Sequence, residues 1–299
     1  MALLIITTIL WAFSFSFYGE YLAGHVDSYF AVLVRVGLAA LVFLPFLRTR
    51  GNSLKTVGLY MLVGAMQLGI MYLLAFRAYL YLTVSEFLLF TVFTPLYITL
   101  IYDLLSGRKL RWGYLLSAAL AVLGAAIIRY DKVSDHFWTG LLLVQLSNLC
   151  FAIGMVGYKR LMEVRPMPQH NAFAWFYVGA FIVAVAAWFM LGNAQKLPTT
   201  TLQWSVLVWL GVVASGLGYF MWNYGATQVD AGTLGIMNNV HVPAGLLVNL
   251  AIWQEQPHWP SFISGALVIL ASLWVHRRWV APHSGQTADD RRRGSAQSE

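Results

Sequence analysis

Ten long apolar runs separated by short polar stretches leave this chain few ways to fold. They fall at about residues 3–22, 29–47, 57–76, 84–102, 113–128, 139–157, 171–191, 205–222, 233–253 and 261–279. Each is near the roughly 20 residues that a helix needs to cross a hydrocarbon core at a rise of about 1.5 Å per residue. Only helices and closed barrels satisfy every backbone polar group inside lipid. The runs are too long and too uniformly apolar for the alternating strands of a barrel. The expected class is therefore an all-α membrane protein. Composition agrees: 10% of residues are charged and the mean hydropathy is +0.67, against about 25% charged in soluble domains.

The basic residues give the chain an orientation. With the N-terminus inside, the inner loops and tail hold Arg48, Arg50, Lys55, Arg108, Lys109, Arg111, Lys159, Arg160, Arg165, Arg277, Arg278, Arg291, Arg292 and Arg293. The outer loops hold only Arg77, Arg129, Lys132 and Lys196, and Arg35 lies within a run. That asymmetry predicts an even number of spans with both termini cytoplasmic. It also accounts for the net charge of +7 without a nucleic-acid partner. The first basic residue is Arg35, so the charged start of a signal peptide is missing and the first run is expected to be a retained helix. The single cysteine, Cys150, forms no internal disulfide and fits no metal-ligand spacing. The stretch 281–299 is polar and is expected to be a disordered cytoplasmic tail. No P-loop, HExxH or GxSxG arrangement is present, so neither an enzyme nor a cofactor is expected.

The chain repeats itself. YLLAFRAYLYLTVSEFLLFTVFTPLYITLIYDLL, from Tyr72, matches YFMWNYGATQVDAGTLGIMNNVHVPAGLLVNLAIW, from Tyr219. Each is an aromatic-rich helix end, a short linker and a helix with a central proline, Pro95 or Pro243. Each leads into a helix rich in small residues, SAALAVLGAAII or SGALVILASLWV. Two units of five spans follow, residues 1–137 and 138–280. An odd number per unit makes the second copy enter from the opposite side, so the two form an inverted repeat.

These features resemble the drug/metabolite transporter superfamily and its EamA-type members, over nearly all of residues 1–280. MALLIITTILWAFSFSFYGEYLAGHVDSYF, MPQHNAFAWFYVGAF and the stretch from Tyr219 are similar to the biotin-uptake branch of that group. The resemblance implies a multi-pass permease of the bacterial inner membrane importing biotin by alternating access. Its implied partners are the small-molecule substrate and the lipid bilayer, with no obligatory protein partner. The same plan also serves exporters of amino acids and other metabolites, which is the alternative. It further implies a central cavity lined by the first, third, fourth, sixth, eighth and ninth helices.

Candidate site residues come from the sequence itself. Asn238, Asn239 and His241 lie mid-run in the ninth segment, where polar groups are costly unless they face protein, water or ligand. Carboxamides supply donors and acceptors, which suits a ureido ring. The competing role is hydrogen bonding to neighbouring helices. Positions 238 and 241 share a helix face, and 239 is turned by about 100°. Tyr72 and Trp175 are candidate stacking residues, and Asn223 and Tyr97 candidate polar contacts. Thr91 and Thr94 precede Pro95 and serve either the substrate or the carbonyl that the proline frees. Arg35 is the natural partner for a carboxylate; the competing reading pairs it with Glu20 or Glu86. Glu86 and Glu20, with His241, are candidate proton carriers, and Pro95 and Pro243 candidate bend points.

Overall fold

The computed structural model describes residues 2–49, 51, 53–105, 135–229 and 231–254, with scattered residues in 119–127 and 259–274. The fifth and tenth expected runs lie mostly outside the described residues, and the tail 281–299 entirely so. Every described element is helical. We number them α1 (Ala2–Tyr21), α2 (Ser28–Phe43, closed by a 3₁₀ turn at Leu44–Phe46), α3 (Leu54–Ala78) and α4. The last runs Val84–Phe90, through a 3₁₀ turn at Thr91–Phe93, into Thr94–Leu105. Then come α5 (Asp135–Val164), α6 (Gln169–Leu191), α7 (Thr201–Thr227) and α8 (Ala231–Trp253). Seven helices are long and apolar enough to cross a membrane among the described residues. Side chains such as Phe189, 82% exposed, and Leu247, 66% exposed, would be a liability in water and are suited to lipid.

Local chemistry starts the helices. Asp27 accepts the backbone N–H groups of Tyr29 and Phe30 at the head of α2, both at 2.9 Å. Thr83 and Glu86 form a capping box at the head of α4. Thr200 and Gln203 form another at the head of α7. Each satisfies amide groups that the first turn of a helix leaves without partners.

Two helices carry a wide π-helical segment in mid-span: Ala65–Ile70 in α3 and Leu210–Leu217 in α7. Glycines flank or punctuate both at the same spacing, Gly64 and Gly69 in one, Gly211 and Gly216 in the other. They permit close helix approach. A Cβ at Gly64 would collide with the carbonyl of Phe176 on α6, and one at Gly179 on α6 with the carbonyl of Met61. A Cβ at Gly211 would lie 2.8 Å from Cβ of Leu38 and 3.2 Å from the carbonyl oxygen of Arg35, both on α2. So α3 packs on α6, and α7 on α2, through backbone-to-backbone contact.

The two prolines behave differently. At Pro95 the helix tightens to 3₁₀, and the carbonyl of Thr91, which the missing N–H would have served, accepts the Thr94 hydroxyl at 2.7 Å. Thr91 in turn donates to Leu88 at 2.6 Å. At Pro243 the helix reads through without interruption, and the side chain lies outside the described residues. Gly245 is a packing position, where an added Cβ would meet Leu88 at 2.9 Å.

Replacement of Gly64 by alanine should therefore push α3 off α6. The expected result is a fall of several degrees in the melting temperature of the detergent-purified protein, from an overpacking cost of about 1–3 kcal/mol or more. Gly58→Ala is the control, since nothing lies within 4 Å of its added Cβ, and it should melt no lower than the parent.

Candidate substrate site

Between the helices lies a small cavity of about 60 Å³, below the roughly 300–1,000 Å³ usual for small-molecule sites, so a bound ligand must widen it. Its wall is built from α1, α3, α4, α5, α7 and α8, with one residue, Arg35, entering from α2. A wider groove between α2 and α6 has only apolar lining side chains and offers nothing to orient a polar ligand.

Arg35 dominates the electrostatics. It is the eighth residue of the 16-residue α2, about 10 Å along the axis from the helix start, and is 3% exposed. Its Nε donates to Ser215 Oγ at 2.5 Å and its Nη2 to Ser14 Oγ at 2.9 Å. The guanidinium lies over the Tyr72 ring, 4.4 Å from the centroid. Tyr72 and Ser215 share a hydrogen bond at 2.8 Å. No lining side chain is a carboxylate, so Arg35 is the cavity's single charge among the described residues. A guanidinium has five N–H groups. Two are held by hydroxyls, leaving three without a protein acceptor among the described residues.

The π segment of α7 builds this arrangement. The widened turn leaves carbonyls for side chains to serve. Trp11 donates to Ala214 at 3.0 Å, and Tyr177 to Ser215 and Gly216 at 2.6 and 3.0 Å. The segment is thereby fixed with the Ser215 hydroxyl aimed at Arg35. Gly211 brings the α2 backbone close enough for the guanidinium to reach it.

Asn238 lies in the cavity wall, 2% exposed, and its Nδ2 has no hydrogen-bond partner among the described residues. Gly245 packs on Leu88 of α4, and Asn249 donates to Ser85 at 3.3 Å. Asn238 therefore sits about two turns, roughly 10 Å, deeper than Leu88, where Thr91 and Thr94 also line the cavity. The side chains of Asn239 and His241 lie outside the described residues. Tyr72 lines the cavity beneath the guanidinium.

Several expected contacts fall elsewhere. Asn223 is fully buried but exchanges two hydrogen bonds with Gln67 of α3, at 3.0 and 3.3 Å; its amide joins helices instead of facing the cavity. Tyr97 stands one layer out and donates to Gln145 at 3.1 Å. Trp175, near the start of α6, donates its indole N–H to the carbonyl of Arg48 and sits at the helix-end level that suits amphipathic rings. Arg35 pairs with neither Glu20 nor Glu86. Glu20 is exposed at the end of α1, about a turn and a half closer to the surface than Ser14, and Glu86 caps α4 by accepting the N–H of Thr83 at 2.9 Å. Neither glutamate lines the cavity.

The reading from sequence passed over Tyr18, Gln67 and Ser215. A lone glutamine inside an apolar run was a legible signal, since such a group must find a partner. Ser215, within Gly-Val-Val-Ala-Ser-Gly, reads as one more small residue until the π turn is seen.

A helical membrane bundle around a central cavity, anchored by one buried cation and a few convergent polar groups, defines a carrier for small molecules. The chain belongs to the EamA-like transporter family, whose pattern matches residues 1–130 and 138–277. It is 87% identical over 299 residues, the whole of both chains, to the protein named "Biotin transporter" in Escherichia coli strain K12. It is 55% identical to the "Probable biotin transporter" of Pseudomonas aeruginosa, covering 93% of this chain and 97% of that one. A solved crystal structure shares the fold with a TM-score of 0.65 at 16% identity, covering 92% of this chain and 95% of the other.

The Gln67–Asn223 pair yields a prediction. Asn223→Leu strands a buried amide and should lower stability by about 1–3 kcal/mol, read as a lower melting temperature. Adding Gln67→Leu should restore most of the loss, and ligand affinity should stay within about twofold in both variants.

Proposed function

We propose that the chain imports biotin across the bacterial inner membrane by alternating access. The observation that carries this reading is Arg35, a mid-helix cation with N–H groups uncommitted among the described residues, facing a cavity whose described lining contains no acid. Biotin is a carboxylate on a short apolar chain ending in a ureido ring. Its carboxylate pairs with the free edge of the guanidinium, where two parallel N–H···O bonds are available. Its apolar body lies along Trp11, Phe76 and Phe151. The ureido carbonyl accepts from Asn238, whose orphaned donor lies deep in the same wall. The name and 87% identity of the Escherichia coli relative support the substrate.

In this reading the chain has ten spans in two inverted units, residues 1–137 and 138–280, with both termini cytoplasmic. The glycine-flanked π segments at matching positions in α3 and α7 support it, as do the paired packings of α3 on α6 and α7 on α2. Rocking of one unit against the other about the central site exposes it to each side in turn. Pro95, with its 3₁₀ turn, supplies a bend point in the first unit, and Pro243 is its counterpart by position. Asn239 and His241 remain candidate contacts on the same helix, and His241 a candidate proton carrier.

The test is uptake of labelled biotin at nanomolar concentration in cells unable to make it. Cells with the intact protein should accumulate label above an empty vector. Arg35→Gln should lose at least about 30-fold in apparent affinity, the equivalent of about 2 kcal/mol for removing one partner of a buried charge pair. Collapse of uptake under a protonophore, with cellular energy held constant by other means, identifies proton coupling. Equal uptake by intact protein and empty vector contradicts import, and the exporter reading then takes its place.

A further inference from the structure

The cavity has a second orphaned polar group, and it is not on α8. Tyr18 lines the wall from α1, is 1% exposed, and its hydroxyl makes no well-formed hydrogen bond among the described residues, with only the Ser28 hydroxyl close enough to interact weakly. Leaving a buried hydroxyl unsatisfied costs about 1–3 kcal/mol. The ring is not free to turn away and find a partner. It stacks on Phe76 with centroids 3.7 Å apart and meets the edge of Tyr79 at 5.1 Å. Ser28, at the start of α2, gives its own hydroxyl to the carbonyl of Phe76 at 3.4 Å.

The position of Tyr18 relative to Arg35 follows from the helix. Ser14, which accepts from Arg35 Nη2, lies four residues earlier on α1, and residues four apart share a face about 6 Å apart. The ring on which Tyr18 stacks, Phe76, is itself 5.5 Å from the guanidinium carbon. A fixed hydroxyl donor with no well-formed hydrogen bond thus stands one helical turn from a buried cation with no anion among the described residues.

We infer that Tyr18 is a substrate-binding residue that completes the carboxylate site of Arg35. One carboxylate takes N–H groups from the guanidinium and, on its outer oxygen, the O–H of Tyr18. Ser14, Ser215 and Tyr72 hold the guanidinium for it. The hydroxyl adds what a cation alone lacks: a directional donor that separates a carboxylate from a neutral ester or amide, both of which offer a weaker acceptor. This inference rests on the reading of Arg35 as the carboxylate anchor.

The experiment measures binding of labelled biotin, and its displacement by biotinamide, on detergent-purified full-length protein, per mole of monodisperse protein. The parent should prefer biotin to biotinamide strongly. If it binds biotin but shows no preference, the Arg35 reading fails, whatever Tyr18 does. Tyr18→Phe keeps the stacked ring and removes only the hydroxyl. Its Kd for biotin should rise about tenfold or more, the worth of a hydrogen bond to a charged group. Its Kd for biotinamide should change by less than twofold, so the preference narrows. Tyr18→Leu, compared on the same ratio, serves where the Phe variant does not purify. An unchanged preference overturns the assignment. Equal weakening of both ligands overturns it too, because it would mark Tyr18 as a packing residue.

Discussion

A permanently charged guanidinium at mid-depth in a membrane helix is the constraint around which the described structure is arranged. Arginine does not shed its proton in proteins, and at the centre of a span it costs at least about 2.5–3.5 kcal/mol unless partnered. Here the partners are dipoles: two serine hydroxyls and two aromatic faces. They solvate the cation without neutralising it. A carboxylate in their place would close the site with an internal salt bridge and compete with any anionic ligand. Glu20 and Glu86, the acids that the competing reading paired with Arg35, are kept near helix ends, one exposed and one capping α4.

The remaining features serve that placement. The π segment of α7 turns Ser215 toward the cation and gives up three carbonyls to Trp11 and Tyr177. Gly211 removes the side chain that would hold α2 away. The matching segment in α3 holds Gln67, whose amide is spent on Asn223. The two wide turns thus do different tasks, one presenting a hydroxyl to Arg35 and the other locking helices together.

Much of this was legible in the sequence, for a physical reason. Membrane spans are written in long apolar runs, so the eight described helices lie over eight of the ten runs that hydropathy marked. The isolated Arg35 and Asn238 stood out because lipid makes such residues expensive. The role of Thr94 as a cap for the carbonyl freed by Pro95 was one of two readings open beforehand, and the bond to Thr91 is formed, although Thr94 also lines the cavity. Residues whose meaning depends on rotation about a helix axis were not legible. Asn223 and Tyr97 point one layer away from the cavity, toward Gln67 and Gln145. Trp175 is one of 12 tryptophans, and only its bond to the Arg48 carbonyl separates it from a stacking residue. Tyr18 is one of 15 tyrosines, and nothing but its unsatisfied hydroxyl singles it out.

The most direct measurement is an experimental structure of the protein with biotin bound, from crystals or by electron cryo-microscopy. The account predicts the carboxylate at about 2.7–2.9 Å from the outer nitrogens of Arg35, the distance of a charge-assisted pair, with the ureido ring toward Asn238. A ureido ring seated against Arg35, or a biotin outside the cavity with the guanidinium contacting only Ser14 and Ser215, would contradict it.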